Sequence, residues 1–213
     1  MTVRGAEKGV KVFGIGLNKT GTSTLGTCGE ILGYKVQGCD RDLLKDVRLN
    51  GDFTRIRQAV EEHDLFEDWP WPLIYKELDN MFPGSKFILT VRKNEQNWLQ
   101  SLKKHSMKTP PGIHCRKLAY GFNYPHGHAG KHLRFYRRHN DQARDYFRGR
   151  KDDFTELCWE NGDGWEKLCA FLGQSRPKAA FPHANKTVDK KRTSRKLYLK
   201  NRALSIFYRL LNS

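Results

Sequence analysis

Short apolar runs closed by glycine or proline alternate along the chain with longer stretches whose apolar positions recur at helical spacing. Lys11 to Gly16 is the first such run and reads as a buried strand leading into a turn rich in Gly and Thr. Thr22 to Leu32 then predicts a helix stopped by Gly33, and Tyr34 to Val36 a second, short strand. Arg41 to Val47 and Phe53 to Glu62 read as polar surface helices. Asp64 to Phe66 reads as a strand opening onto Glu67-Asp68-Trp69-Pro70, followed by a helix from Leu73 to Met81 and a Pro83-Gly84 turn. Lys86 to Val91 is the clearest strand, nearly all apolar as a central parallel strand must be. A helix from Glu95 to Lys104 follows it. Residues 105–130, rich in His, Gly and Pro, have no period and read as a long functional loop. Lys131 to Phe147 predicts a helix, Phe154 to Cys158 a strand, Gly164 to Leu172 a helix, and Thr193 to Leu211 a basic amphipathic helix. Strands alternating with helices imply an α/β fold of three layers, a central parallel β-sheet flanked by helices.

At 213 residues the chain suits one domain with a real core, here residues 1–187, followed by a basic tail over 188–213. The formal charge of +16 favours an anionic partner. From Lys186 onward Asp189 is the only acid, so much of that charge belongs to the tail. The odd count of five cysteines, without close pairing, does not fit a secreted disulfide framework. The chain has no apolar run of the length that spans a bilayer and no signal-peptide core, so the expectation is a soluble, cytoplasmic protein.

Candidate chemistry concentrates where the first strand meets the first helix, in Gly14-Ile-Gly-Leu-Asn-Lys19-Thr20-Gly21-Thr22-Ser23-Thr24-Leu25. Glycines there let the backbone approach a ligand, and the free N–H groups of a helix start point at an anion. Lys19 adds a charge; Thr20, Thr22, Ser23 and Thr24 add hydroxyls. The lysine precedes the glycine, so this is not a Walker A loop. The best strand ends in Arg92, where a kinase or GTPase needs a carboxylate near Mg²⁺.

The order Lys-Thr-Gly-Thr after a first strand, with Arg92 and then Ser101 after a central strand, resembles the PAPS-dependent sulfotransferase superfamily (PAPS is 3′-phosphoadenosine 5′-phosphosulfate). The small soluble bacterial-type branch is the most similar, and the resemblance runs over roughly residues 10–187, taking in Phe82 to Arg92, Gly164 to Gly173 and Phe181 to Asn185. It implies a P-loop-type fold, PAPS as donor, PAP (3′,5′-bisphosphoadenosine) as product, and no metal. Carried over residue by residue, Lys19, Thr20, Gly21, Thr22, Ser23 and Thr24 hold the donor's 5′-phosphosulfate, and Arg92 and Ser101 its 3′-phosphate. The spacing departs from the family's by one residue, nine from Arg92 to Ser101. The aromatic residue that stacks on adenine in animal cytosolic members is replaced by Thr24; Trp165 is a candidate substitute, although Trp159, Trp165 and Phe171 read as core residues before cofactor contacts.

Sulfuryl transfer also needs a base for the acceptor hydroxyl. The soluble branch carries Asp-x-Pro at a place matching Asp68-Trp69-Pro70, while heparan-type members carry a Glu three residues before a proline, matching Glu67. Asp68 is favoured over Glu67, and the alternative reading of Asp68 is a cap on a helix beginning near Pro70. His63 and His105 are stand-ins without a supporting motif. His126-Gly-His128 lacks the partners of a metal site, and His114, His126, His128 and His132 suit a lid or a surface loop. Arg134, Arg137, Arg138 and His139 suit either an anion or a solvated helix face. The expected acceptor is a small molecule or glycan, with no nucleic acid as partner. The tail helix, with apolar Leu197, Leu204, Phe207 and Leu211, fits peripheral membrane contact or docking on the domain. A P-loop kinase and a non-catalytic polyanion- or membrane-binding module are the rival readings.

Overall fold

A computed structural model describes residues 9–110, 115–182 and 195–211. Its strands are β1 (Val12–Gly14), β2 (Val36–Gln37), β3 (Leu65–Phe66), β4 (Lys86–Thr90) and β5 (Phe154–Leu157). They form one parallel sheet in the order β2-β3-β1-β4-β5, with Val12 level with Leu65 on one side and Lys86 on the other. The helices are α1 (Thr22–Ile31), α2 (Arg41–Lys45), α3 (Thr54–Glu62), α4 (Tyr75–Met81), α5 (Glu95–Lys108), α6 (Arg116–Tyr120), α7 (Ala129–Tyr146), α8 (Trp165–Leu172) and α9 (Arg195–Leu210).

The pleat sorts the strands' side chains between two faces. Val12, Leu65, Ile88 and Leu157 meet Leu25 and Cys28 of α1 and Trp165 and Leu168 of α8. Phe13, Phe66, Phe87 and Leu89 meet Ile56 and Val60 of α3, Leu78 of α4 and Ala143 of α7. The expected three-layer α/β fold is therefore present. Phe13 is its aromatic hub, fully buried with ring centroids 4.8 Å from Phe66 and 5.4 Å from Phe87. A third cluster, built on Leu17, Trp69, Trp98, Leu102, Tyr120 and Tyr136, joins the turns after β1 and β3 to α5, α6 and α7.

The stretch 105–130 is not one loop. α5 continues to Lys108, α6 forms at Arg116–Tyr120, and α7 starts at Ala129. The cause is tertiary burial rather than periodicity. The fully buried Arg116 donates to the Asn123 carbonyl and to Thr109 Oγ1, each at 2.6 Å. His128 stacks on Phe122 and its carbonyl hydrogen-bonds His132 Nδ1, while His114 lies outside the described residues. His139 is also internal, its Nε2 2.7 Å from the Ile15 carbonyl, and Arg137 forks onto Glu95.

The boundary at 187/188 falls outside the described residues, but α9 packs along α5. Asn201 is fully buried there. Its amide N–H₂ donates to the carbonyls of Met107 (3.0 Å) and Thr109 (3.2 Å), and its Oδ1 accepts from Tyr124 (2.7 Å). Among the described residues, no helix is long and apolar enough to cross a membrane.

Truncating Phe13 leaves a cavity between sheet and helices that neighbours refill only in part. Phe13→Ala is expected to cost about 3–5 kcal/mol, read as a lower urea midpoint at unchanged slope.

Candidate functional site

The loop joining β1 to α1 is shaped by close approach. A Cβ on Gly16 would lie 2.0 Å from Thr90 Oγ1 and 2.4 Å from the Thr90 carbonyl, so only glycine fits. Thr20 fills the space this leaves. Its hydroxyl donates to the Leu17 carbonyl (2.6 Å) and is hydrogen-bonded to Thr90 Oγ1 (2.7 Å), while its N–H donates to Leu17 as well (3.2 Å). The Thr20 hydroxyl, expected on the ligand, is thus engaged inside the loop. Asn18 ties the loop to neighbouring helices: its carbonyl accepts from Trp98 Nε1 (3.0 Å) and its Oδ1 from the Tyr120 hydroxyl (2.5 Å).

Held this way, Lys19 adopts φ 72°, and Gly21 φ 100°. Among the described residues only Lys19 and Asp68 (φ 65°) are non-glycines in the left-handed region. Such conformations cost on the order of 1–3 kcal/mol each and persist where surroundings over-determine them.

α1 begins directly after Gly21 with no side-chain cap and no acid in its first turn. The Gly21 carbonyl accepts from the amides of Thr24 (3.0 Å) and Leu25 (3.2 Å). The amides of Thr22 and Ser23 precede any helical carbonyl that could receive them, and the macrodipole makes this end positive. Ser23 is exposed, whereas Thr22 and Thr24 are buried.

The turn after β3 places Glu67 and Asp68 beside this helix start. Asp68 Oδ1 accepts from the Trp69 amide (3.0 Å), and the Trp69–Pro70 peptide is cis. Protein crowding raises the Asp68 carboxyl to about 6 against the opposing pull of Lys19 and that amide. Burial, and next the Asp68 charge, raise Glu67 to about 7, opposed by a hydrogen bond from Thr22 and by Lys19. Glu67 Oε2 is buried without a partner. Lys19, Thr22, Glu67 and Asp68 are therefore one electrostatic unit. The thiols of Cys39 and Cys115, 3.6 Å apart, lie within reach of the Asp68 charge.

Arg92, just past β4, is half-buried. Its Nη2 pairs with Glu160 Oε1 (2.8 Å), its N–H donates to the Tyr136 hydroxyl (3.0 Å), and its Nε is buried without a partner. Glu160 also accepts from the Lys93 amide (2.8 Å). Arg92 lines a pocket of about 320 Å³ with Lys93, Glu95, Arg137, Asn140 and Arg144. Ser101 sits half-buried, six residues into α5 and roughly 9 Å along its axis from Glu95. The Arg92 side chain is paired with Glu160, not with Ser101.

Two residues that the sequence reading did not single out for the site stand out. Trp159 and Glu160 occupy a short 3₁₀ turn after β5. Trp159 Nε1 donates to the Gly21 carbonyl (3.1 Å), and its ring lies where a Gly21 side chain would be, 2.3 Å from that Cβ position. Their place beyond the carboxyl end of a parallel strand was the available signal, because ligands of open α/β sheets bind there. Trp165 is a core residue, the reading the sequence favoured over a stacking surface: it is 3% exposed, with its indole N–H on the Ala179 carbonyl. His63 is displaced too: it precedes β3, at the other end of that strand from Asp68, with Nδ1 3.0 Å from the Ala59 carbonyl. His105 lies on α5. Among the described residues no group of three or more His, Cys, Asp or Glu gathers as a metal site.

The chain is 25% identical over 235 residues to Ava biosynthesis cluster protein M of Aspergillus versicolor, covering 90% of this chain and 86% of that protein. Residues 11–189 match the model of the sulfotransferase domain, a span holding the β1–α1 loop, the Glu67–Asp68 turn and Arg92. The chain therefore belongs to the sulfotransferase domain family, transferases that move a sulfonate group from a donor.

Proposed function

We propose that the protein transfers the sulfuryl group of PAPS to a hydroxyl, or an amine, of an acceptor and releases PAP. The observation that carries this reading is the meeting of Lys19, the uncapped start of α1 and the Glu67–Asp68 pair at one end of the sheet, with a cation, Arg92, after β4. The fit to the donor is supported by the buried Arg92 Nε, which has no partner, and by the amides of Thr22 and Ser23, which come too early in α1 to reach a helical carbonyl. When bound, PAPS supplies an activated sulfate whose leaving group is a phosphate.

The amides of Gly21, Thr22 and Ser23, with Lys19 and the Ser23 hydroxyl, hold the 5′-phosphosulfate and meet charge developing on the bridging oxygen. Arg92 and Ser101 hold the 3′-phosphate. Thr20 braces the loop from within, and Thr24 packs beneath the helix start. Trp159, beside Gly21, presents the aromatic surface for the nucleotide base. Asp68 accepts the acceptor's proton as the new O–S bond forms opposite the breaking one. Glu67 serves Asp68 by proximity, because its own Oε2 is enclosed. The similarity to a biosynthesis cluster protein favours a small-molecule acceptor over a glycan.

Calorimetric titration with PAP, without added metal, tests the donor assignment. Lys19→Ala and Arg92→Ala are each expected to weaken binding about tenfold or more, about 1.4 kcal/mol. Binding of ATP–Mg²⁺ in place of PAP would overturn it in favour of a kinase.

The base must be ionised to act, so turnover is expected to hold steady above about pH 7 and fall as the medium is acidified through 6, the range of the paired carboxyls. Asp68→Asn should lower kcat by about 10²–10⁴-fold while PAP still binds; a flat pH profile, or an active variant, refutes the role.

The same pair has a signature in stability. Glu67 has a folded pKa of about 7, raised above its ordinary 4.5, so its contribution is full below that ordinary value and is lost as pH rises through 7. Urea midpoints between pH 5 and 8 should therefore decline in the parent and flatten in Glu67→Gln.

A further inference from the structure

Among the described residues eight large hydrophobic side chains are exposed, and six of them, Tyr198, Leu199, Ile206, Phe207, Leu210 and Leu211, belong to α9 and the residue after it. This concentration is not the helix's docking face. Leu197, Asn201, Leu204, Ser205 and Tyr208 recur at i, i+4, i+7, i+8 and i+11, are buried or half-buried, and turn toward the domain. The docking is intimate: a Cβ on Gly127, whose φ is 78°, would lie 2.1 Å from the Tyr208 carbonyl. Of the four apolar positions noted in the sequence, Leu197 and Leu204 thus serve docking on the domain, while Phe207 and Leu211 are exposed.

A second apolar row runs along the opposite side. Leu199, Ala203, Ile206 and Leu210 recur at i, i+4, i+7 and i+11, all exposed. Arg195, Arg202 and Arg209, seven residues apart, border the row on one side, and Lys196 and Lys200 border it with Phe207 on the other. Residues 195–211 contain no Asp or Glu.

A continuous apolar ridge between two cationic borders matches one surface chemistry, acyl chains beneath anionic headgroups. A protein partner of ordinary mixed charge would leave five like charges unanswered around its rim. We infer that the outward face of α9 is a membrane-surface contact: it lies parallel to an anionic lipid bilayer, with Leu199, Ile206 and Leu210 entering the headgroup boundary and the Arg and Lys borders on lipid phosphates. Because Asn201 and Tyr208 fix α9 on α5 and the 122–128 loop, the whole domain is held at the bilayer in one orientation.

The test is sedimentation of the full chain with phosphatidylcholine vesicles and with vesicles also containing phosphatidylserine, at low and high salt. Partitioning onto the anionic vesicles is expected to be at least about tenfold stronger than onto neutral ones and to weaken with salt. Leu199→Asp combined with Ile206→Asp should abolish it at unchanged melting temperature. Should that variant melt early, the triple change Arg195→Gln, Arg202→Gln and Arg209→Gln alters only exposed positions and should remove the preference for anionic lipid. Absence of vesicle binding in the parent, or equal binding by variants that melt normally, overturns the inference. So does light scattering that shows a dimer dissolved by the Asp substitutions without any vesicle binding, which would make a second copy the occupant of this face.

Discussion

Just after β1, the backbone at Gly16 approaches the end of β4 more closely than any side chain permits, and the geometry of the site descends from that contact. With no Cβ at residue 16, Thr20 can turn its hydroxyl inward to Leu17 and Thr90. That inward turn curls the loop and forces Lys19 into the left-handed region. It also delivers Gly21 to the point where α1 starts without a cap. The loop is then locked from outside by Trp98 and Tyr120, which grip the two oxygens of Asn18. The strained conformation of Lys19 persists because each neighbour restrains it.

This scaffold brings together charges that would not choose one another's company in water. Two adjacent carboxylates share a crowded pocket and repel. Burial raises both carboxyls above their ordinary range; at Glu67 the neighbouring Asp68 charge adds to it, and Lys19 opposes the rise at both. A chain selected for stability alone would replace one carboxylate with an amide. Retaining both leaves carboxyls that titrate close to neutrality beside Lys19, the property the proposed proton transfer from a hydroxyl requires.

What could be read from the sequence was what depends on neighbours along the chain. The strand at Lys86 to Val91, the Gly-Thr turn and the helix at Thr22 announce themselves through local period and turn chemistry, and the sheet follows from their alternation. α6 could not be read so, because it exists through the burial of Arg116 against Asn123 and Thr109. The tryptophans divide the same way. Trp159 and Trp165 are equivalent as letters, and only the chain's path after β5 sends one to Gly21 and the other into the core. Asp68 and Glu67 were legible as a pair, but that Glu67 Oε2 is sealed beneath α1 is a property of packing.

On the proposed donor assignment, the Arg92–Glu160 pair gives the nucleotide a tethered competitor. Glu160 is anchored on a turn whose other residue, Trp159, already rests on Gly21, so its carboxylate stands before the guanidinium at high effective concentration. An incoming anion must outbid it. A singly charged group offers Arg92 little that Glu160 does not already give, whereas a doubly charged phosphate offers more. Under that assignment the ion pair works as a charge threshold, lowering the affinity for every ligand while widening the gap between dianions and the monoanions that crowd any cell.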